Sequence, residues 1–97
     1  MKITKIEYDL KINNSSSWTI YLTKTREEAR AIHAFAMTQR ETLKQINGWY
    51  YTVMTAQVMN TCLVPEFFHD RGYYMTAIEH NNGDWNASQK YDLYIVE

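Results

Sequence analysis

The chain has few cysteine, proline and glycine residues. Cys62 is the single cysteine, so no disulfide can form within the chain, which fits a reducing compartment. Pro65 is the single proline and there are three glycines, which argues against a linker or a low-complexity tail. No stretch approaches the roughly 18 apolar residues that a membrane span needs, and no apolar signal core follows Met1. We therefore expect a cytoplasmic protein with no membrane segment.

An excess of charge of one sign is also missing. Ten basic and eleven acidic side chains give a formal net charge of −1, so no large field attracts a polyanion and nucleic acid is not an expected partner. What the chain does have is 45% hydrophobic residues in a length of 97. A chain of this length buries about two-thirds of its unfolded surface on folding. We predict a single domain over residues 1–97.

The first part of the sequence predicts a β-hairpin. Apolar and polar residues alternate from Ile6 to Ile12 and again from Trp18 to Thr23, a period of two that is typical of strands. Between them, residues 13–17 are asparagine and serine, which favour turns because their side chains hydrogen-bond to nearby backbone. The two strands are therefore expected to pair with each other.

A helix is predicted next. Thr25 and Glu28 have the spacing of a capping box, in which each residue satisfies a free backbone N–H at the start of a helix. Asn47-Gly48 predicts the end, since glycine adopts the left-handed conformation at no steric cost. Between these ends an apolar stripe, broken at Gln39, recurs at steps of three and four residues: Ala29, Ile32, Phe35, Ala36, Leu43 and Ile46.

The second half predicts three more strands. Residues 49–58 are aromatic and β-branched and favour a strand, although their apolar spacing also fits a continued helix. Residues 60–72 form an irregular connection, with Phe67-Phe68 holding it to the core. Residues 73–80 form the next strand, Asn81 to Asp84 form a hairpin turn, and a last strand runs to Val96.

The predicted fold class is α+β, with a mainly antiparallel five-stranded sheet and one long helix packed on one face, in the order ββα-β-ββ. One helix covers one face of such a sheet. We expect it to cover the aliphatic face, which carries Ile6, Tyr8, Leu10, Ile20, Leu22, Met54, Leu93 and Ile95. The opposite face then displays Thr19, Tyr21, Thr23, Trp49, Tyr51 and Tyr94.

This second face supplies the candidate partner-binding residues Tyr21, Trp49, Tyr51 and Tyr94. Tyrosine and tryptophan anchor protein interfaces because each ring buries a large area at low cost in entropy. The expected partner is a larger protein or protein complex, with a homodimer as an alternative. Two other interpretations remain open: an ordinary solvated sheet, and a surface that stacks unpaired RNA bases, although the RNA-recognition strand signature is absent.

The residues with catalytic potential are few. The loop residues His69, Asp70 and Arg71, with His80, could form a ligand site, but three polar neighbours in a connection more often form a hydrogen-bonded turn. Glu66, Asp70, Glu79 and Asp84 could supply an acid–base pair, yet nothing sets their separation. No phosphate-binding glycine motif, nucleophile elbow or metal-ligand spacing is present. We therefore expect no cofactor, no metal and no enzyme.

The general character of the chain resembles small stoichiometric inhibitors, such as phage-encoded anti-defence proteins or bacterial immunity proteins, although no motif identifies a family. That resemblance implies inhibition by occlusion, in which a pre-formed sheet face docks on a larger molecule. The Asn81 to Asp84 tip is a second candidate contact surface. The alternative function is a small hydrolase or ligand-binding protein that uses the His69 loop.

Overall fold

The computed structural model describes residues 2–7, 17–47, 50–81 and 91–97, with the backbone alone described for residues 41–47, 50–51 and 80–81. In chain order the elements are strand β1 (Ile3–Ile6), strand β2 (Ser17–Thr23), helix α1 (Arg26–Asn47), strand β3 (Tyr50–Gln57), a 3-10 turn (Glu66–Phe68), strand β4 (Tyr74–Asn81) and strand β5 (Tyr91–Val96). The α+β class, with one helix and five strands in the described part of the chain, is confirmed. The strand expected over residues 49–58 is confirmed over Tyr50–Gln57.

The five strands form one mixed sheet in the order β1-β5-β2-β4-β3. Three neighbouring pairs are antiparallel, whereas β2 and β5 are parallel. The expected mainly antiparallel sheet is therefore corrected to a mixed one. The helix has 22 residues, which is within the ordinary range for globular proteins, so the description of it as long was too strong.

Both predicted hairpins are wrong as strand pairings. β1 pairs with β5, which lies between β1 and β2, while β4 is separated from β5 by β2. Burial explains the difference. Ile20, Leu22 and Leu93 are fully buried, so β2 and β5 lie inside the sheet, where each is paired with a strand on both sides. Residues 8–12 of the first predicted strand and residues 82–84 of the predicted turn lie outside the described residues.

The start of α1 follows the capping box with one change. The Glu28 backbone N–H donates to the Thr25 hydroxyl at 3.2 Å, as predicted. The Glu28 carboxylate, however, accepts from the Thr25 hydroxyl at 2.8 Å rather than from the Thr25 backbone N–H. The acidic first turn also suits the positive end of the helix dipole. The helix begins after Thr25 because the cap satisfies a backbone donor that has no partner within the helix.

The helix packs on the face opposite to the predicted one. Ala36 contacts Ile78, with Tyr21 and Val53 packed beside them, and the buried Thr76 hydroxyl donates to the backbone carbonyl of Ala29 at 2.9 Å. The small side chains of Ala29 and Ala36 allow the helix to approach a threonine-rich sheet face closely. The hydroxyl of Thr76 gains a partner in the helix itself, so this face is covered without a buried polar penalty.

The aliphatic face is instead covered by the connection between β3 and β4. Leu63, Val64 and Phe68 of this segment pack in one core cluster with Ile20 and Leu93. The connection can cover the core because it carries three large apolar side chains within six residues. The residues that α1 buries against the sheet are alanines. Residues 58–73 are thus a structural layer.

Two smaller expectations change as a consequence. In β3 the predicted sides are reversed, because Val53 and Thr55 face the helix while Met54 is 38% exposed. In the connection, Phe68 is buried as expected, but Phe67 is 65% exposed and meets the Phe68 ring edge-on.

Candidate functional site

The helix leaves part of its own face of the sheet uncovered. Its Cα atoms lie within 8 Å of those of β2, β4 and β3, whereas among the described residues none lies within 8 Å of a Cα atom of β5 or β1. Neighbouring strands lie about 4.8 Å apart, so the strip from β2 across β5 to β1 is about 10 Å wide. Within the described part of the chain, this strip is where apolar side chains of the helix-side face are accessible.

Tyr21 and Tyr94 form the centre of this strip. They are opposite each other in the parallel β2–β5 register, and their rings stack with centroids 5.3 Å apart and an interplanar angle of 20°. Burial raises the pKa of the Tyr21 hydroxyl, and Tyr94 and Asp92 raise it further. Both rings are half-buried, so each has a packed side and an accessible side.

An ion pair borders the tyrosine pair. The Lys5 ammonium lies 3.1 Å from the Asp92 carboxylate, and Lys5 is opposite Tyr94 in the β1–β5 pair. The hydrogen bond from Lys5 to Asp92, together with the charge of Asp92, raises the pKa of Lys5. Because Lys5 is exposed, the pair adds little stability. Its effect is to place a polar rim next to aromatic surface.

An apolar groove of about 430 Å³ lies between α1 and this strip. Phe35 is 68% exposed and Ile3 is 56% exposed, although both are large hydrophobic residues. Eight residues line it: Ala31, Ile32, Phe35 and Ala36 from the helix, and Ile3, Tyr21, Ile78 and Val96 from the sheet. The groove thus joins the tyrosine pair to the exposed flank of the helix.

Two of the four predicted partner-binding residues lie side by side in the described part of the chain. Tyr21 and Tyr94 come together, but Tyr51 belongs to β3, which is separated from β5 by β2 and β4. Three strand spacings put Tyr51 about 14 Å from β5. Trp49 lies outside the described residues, as does the side chain of Tyr51.

The sequence analysis missed the groove residues on the helix. Ile32 and Phe35 were assigned to the buried stripe of α1, but Ala29 and Ala36 make the buried contact. The width of the apolar stripe on α1 could have indicated them. The alanines and the large apolar residues together cover more of the helix surface than contact with one sheet buries. Ile3 precedes the alternating segment that starts at Ile6, so periodicity did not indicate it.

The loop at His69 is held by its own backbone. The His69 Nε2 atom lies 2.9 Å from the carbonyl oxygens of both Thr61 and Val64. Because carbonyl oxygens only accept hydrogen bonds, Nε2 carries the proton and donates to them. That nitrogen is therefore occupied in closing the connection. The geometry favours a hydrogen-bonded turn over a catalytic base at this nitrogen.

The other members of the alternative site are dispersed. Asp70 is exposed and has a positive φ of 56°, and the Arg71 guanidinium lies 4.3 Å from the centroid of the Phe67 ring. His80 is near the far end of β4, about 20 Å along the strand from Tyr74. The loop and His80 thus do not meet. Among the described residues, no group of three His, Cys, Asp or Glu side chains is arranged to hold a metal ion.

A basic cleft lies on the opposite flank of α1 from the groove. Arg26, Arg30 and His33 recur at steps of four and three residues, which places them on one side of the helix. With Gln57 and Tyr74 at the ends of β3 and β4, they line a cleft of about 350 Å³. The Arg26 guanidinium lies 5.8 Å from the centroid of the Tyr74 ring. Arg26, Arg30 and His33 were not predicted as site residues from the sequence.

Comparison with known proteins identifies no relative: no protein-family model matches the chain, and neither a curated protein nor a solved structure is significantly similar to it. None of the helical segments that the structure describes is both long and apolar enough to cross a membrane.

Proposed function

We propose that this protein is a small non-enzymatic binding module that docks an amphipathic helix of a larger protein in the groove beside Tyr21 and Tyr94. The observation that carries this proposal is the exposure of Phe35 and Ile3 on the two walls of one apolar groove. Exposed apolar side chains are ordinary when scattered, but a contiguous apolar groove is typical of a binding surface.

The dimensions support a helix as the bound element. The strip of sheet that α1 leaves uncovered is about 10 Å wide, which matches the diameter of one α-helix with its side chains. A partner helix lying beside α1 would complete a two-helix layer on the five-stranded sheet. Its apolar face would pack against Phe35, Ile32 and the two tyrosine rings, in the helix-in-groove mode of recognition.

The chemistry of the rim supports a partner with polar flanks. The tyrosine rings offer apolar area and the Lys5–Asp92 pair lies at the edge of the same strip. Interfaces of this kind concentrate binding free energy in a few aromatic anchors, and charges at the rim set orientation. The proposed partner helix therefore carries apolar residues at spacings of three and four and charged residues of both signs on its borders.

The proposed action is stoichiometric inhibition. A module of 97 residues that covers a helix on a larger protein blocks any surface to which that helix contributes, without turning over a substrate. This is the mode of action of phage anti-defence and immunity proteins, the class that the sequence resembles in general character. Titration of a purified partner is expected to reach full inhibition at one molecule of this protein per binding site.

The binding proposal is tested by capture of the partner on immobilised protein from a lysate of the source organism. Phe35→Ala and Tyr94→Ala are expected to reduce the captured partner at least tenfold while the circular dichroism spectrum is unchanged. Phe67→Ala is the matched control, because Phe67 is also a highly exposed phenylalanine but lies outside the groove. Equal loss in all three variants, or loss in none, would contradict the proposal.

Self-association is tested separately by native mass spectrometry over a concentration series. A heterologous partner requires that the groove is free, so a monomer is expected at micromolar concentration. A dimer that Phe35→Ala returns to monomer would assign the groove to a second copy of the chain and would overturn the proposal of a larger partner.

A further inference from the structure

The cleft formed by Arg26, Arg30, His33, Gln57 and Tyr74 is a second site, on the flank of α1 that faces away from the groove. We propose that it binds a small phosphate monoester. This inference goes beyond the proposed function and does not rest on it, since the groove residues contribute nothing to the cleft. Either site can be lost by mutation without the other.

The first argument is unbalanced positive charge. Neither Arg26 nor Arg30 forms an ion pair in the described part of the chain, where the single salt bridge is that of Lys5 with Asp92. Of the two acidic residues in the first turn, Glu28 is hydrogen-bonded to Thr25, and Glu27 forms no ion pair within 4.0 Å among the described residues. Two guanidinium groups thus face one cleft whose described lining contains no carboxylate.

The second argument is geometry. Residues four apart on a helix have Cβ atoms about 6 Å apart, so the long side chains of Arg26 and Arg30 can both reach one anion in the cleft between them. A guanidinium presents a planar fork of donors that matches the oxygens of phosphate. Residue Arg26 also begins the helix, so the positive end of the helix dipole adds to the same potential.

Charge complementarity selects a phosphate monoester over a carboxylate. A phosphate monoester carries a charge of about −1.5 to −2 at pH 7 and offers three acceptor oxygens, enough for both arginines. A carboxylate carries one charge and leaves one arginine without a partner. His33, on the next turn of the same flank, supplies a further ring nitrogen beside the same cleft.

The rest of the cleft fits the organic part of such a ligand. A volume of about 350 Å³ exceeds the needs of a bare phosphate and falls at the lower end of small-molecule sites. The Tyr74 ring forms one wall and Ala56 adds apolar surface, while the exposed Gln57 amide can donate and accept hydrogen bonds. The ligand class is therefore a phosphate monoester with one ring-sized organic group.

The test is a nuclear magnetic resonance titration of the ¹⁵N-labelled protein with phenyl phosphate, with inorganic phosphate and benzoate as comparison probes. We expect saturable shifts of the backbone amides of residues 26–33 and 55–57. Phenyl phosphate is expected to bind at least tenfold more tightly than benzoate, because benzoate has the ring but a single charge. No saturable shift, or equal affinity for benzoate, would overturn the proposal.

Variants locate the site. Arg30→Gln and Arg26→Gln are each expected to weaken phenyl phosphate binding at least tenfold, while Arg71→Gln, an exposed arginine placed over Phe67, should change it less than twofold. Both cleft arginines are exposed, so the variants should fold, which the amide spectrum reports directly. If Arg71→Gln weakened binding equally, the loss would be explained by the change in net charge, and the proposed site would be wrong. Tighter binding of a phosphotyrosine peptide than of phenyl phosphate would overturn the small-molecule assignment in favour of a modified protein.

Discussion

Tyr21 and Tyr94 stack across two parallel strands, with ring centroids 5.3 Å apart. The two rings meet because β5, the last strand, is inserted between β1 and β2, the first two. This non-local pairing builds the floor of the groove beside α1. The candidate site is therefore a product of topology, and it exists only when the two ends of the chain are assembled in one sheet.

The connection between β3 and β4 is predicted to stabilise the fold as a core element does. Phe68→Ala removes a buried ring that contacts Phe67 and Tyr73, and we expect the free energy of unfolding to fall by about 3–5 kcal/mol. Phe67→Ala, at an exposed position, should change it by less than about 1 kcal/mol. Urea unfolding followed by circular dichroism measures both. A Phe68→Ala variant as stable as Phe67→Ala would show that the connection is not part of the core.

The hydrogen bond from the Thr76 hydroxyl to the Ala29 carbonyl is predicted to hold the helix on the sheet. Thr76→Val keeps the shape of the side chain and removes the donor, so the free energy of unfolding should fall by about 1 kcal/mol. Thr52→Val, at an exposed position in β3, is the control and should stay within about 0.5 kcal/mol of the parent. Equal stability of the two variants in urea would contradict the role of the bond.

His69 is predicted to act through structure. His69→Ala deprives two carbonyl oxygens of their donor, and the free energy of unfolding should fall by about 1–3 kcal/mol. His33→Ala, on the helix, is the control and is expected to have an effect of less than about 0.5 kcal/mol. If His69→Ala unfolds at the same urea concentration as the parent, the loop has no need of the imidazole and the alternative function gains support.

Tyr91 is predicted to make the protein sensitive to alkaline pH. Burial raises the pKa of its hydroxyl, and the nearby Cys62 raises it further, while the buried oxygen has no hydrogen-bond partner among the described residues. The folded state therefore holds this proton above pH 10, where the unfolded chain releases it, so the contribution of Tyr91 to stability is constant below about pH 10 and decreases as the pH rises further.

The variant Tyr91→Phe tests that prediction. It removes both the titrating group and the unpaired hydroxyl, so at pH 8 the free energy of unfolding should rise by about 1 kcal/mol, and the decrease between pH 9 and pH 11 should be smaller than in the parent. Urea unfolding followed at 222 nm gives both values. A variant that is less stable at pH 8 would show that the hydroxyl has a partner.

The helix and four of the strands were predictable because their signals are local. A capping box at Thr25 and alternation from Trp18 to Thr23 act within a few residues, and periodicity reports them directly. The hairpins failed for the opposite reason. The alternating segments and the Asn-Gly turn are local signals, whereas the pairing of Ile6 with Leu93 depends on burial across the whole chain.

The candidate site was predicted in part. Tyr21 and Tyr94 share a face because the strand period is two, and that follows from sequence. The side on which the helix packs depends on alanines at residues 29 and 36, and on a connection whose Phe68 covers the other face. Sequence periodicity treats Ile32 and Phe35 as core residues, so the exposed wall of the groove becomes visible only in three dimensions.

The most direct test of the account is photo-crosslinking from the groove. A benzophenone amino acid replaces Phe35 in one variant and Phe67 in the control, and each is irradiated in a lysate of the source organism before the cross-linked peptide is sequenced by mass spectrometry. The account predicts an adduct at position 35 alone, joined to an amphipathic helix of a larger protein. Equal adducts at both positions, no adduct at position 35, or a cross-link from there to this chain's own residues 8–16 or 82–90 would contradict it.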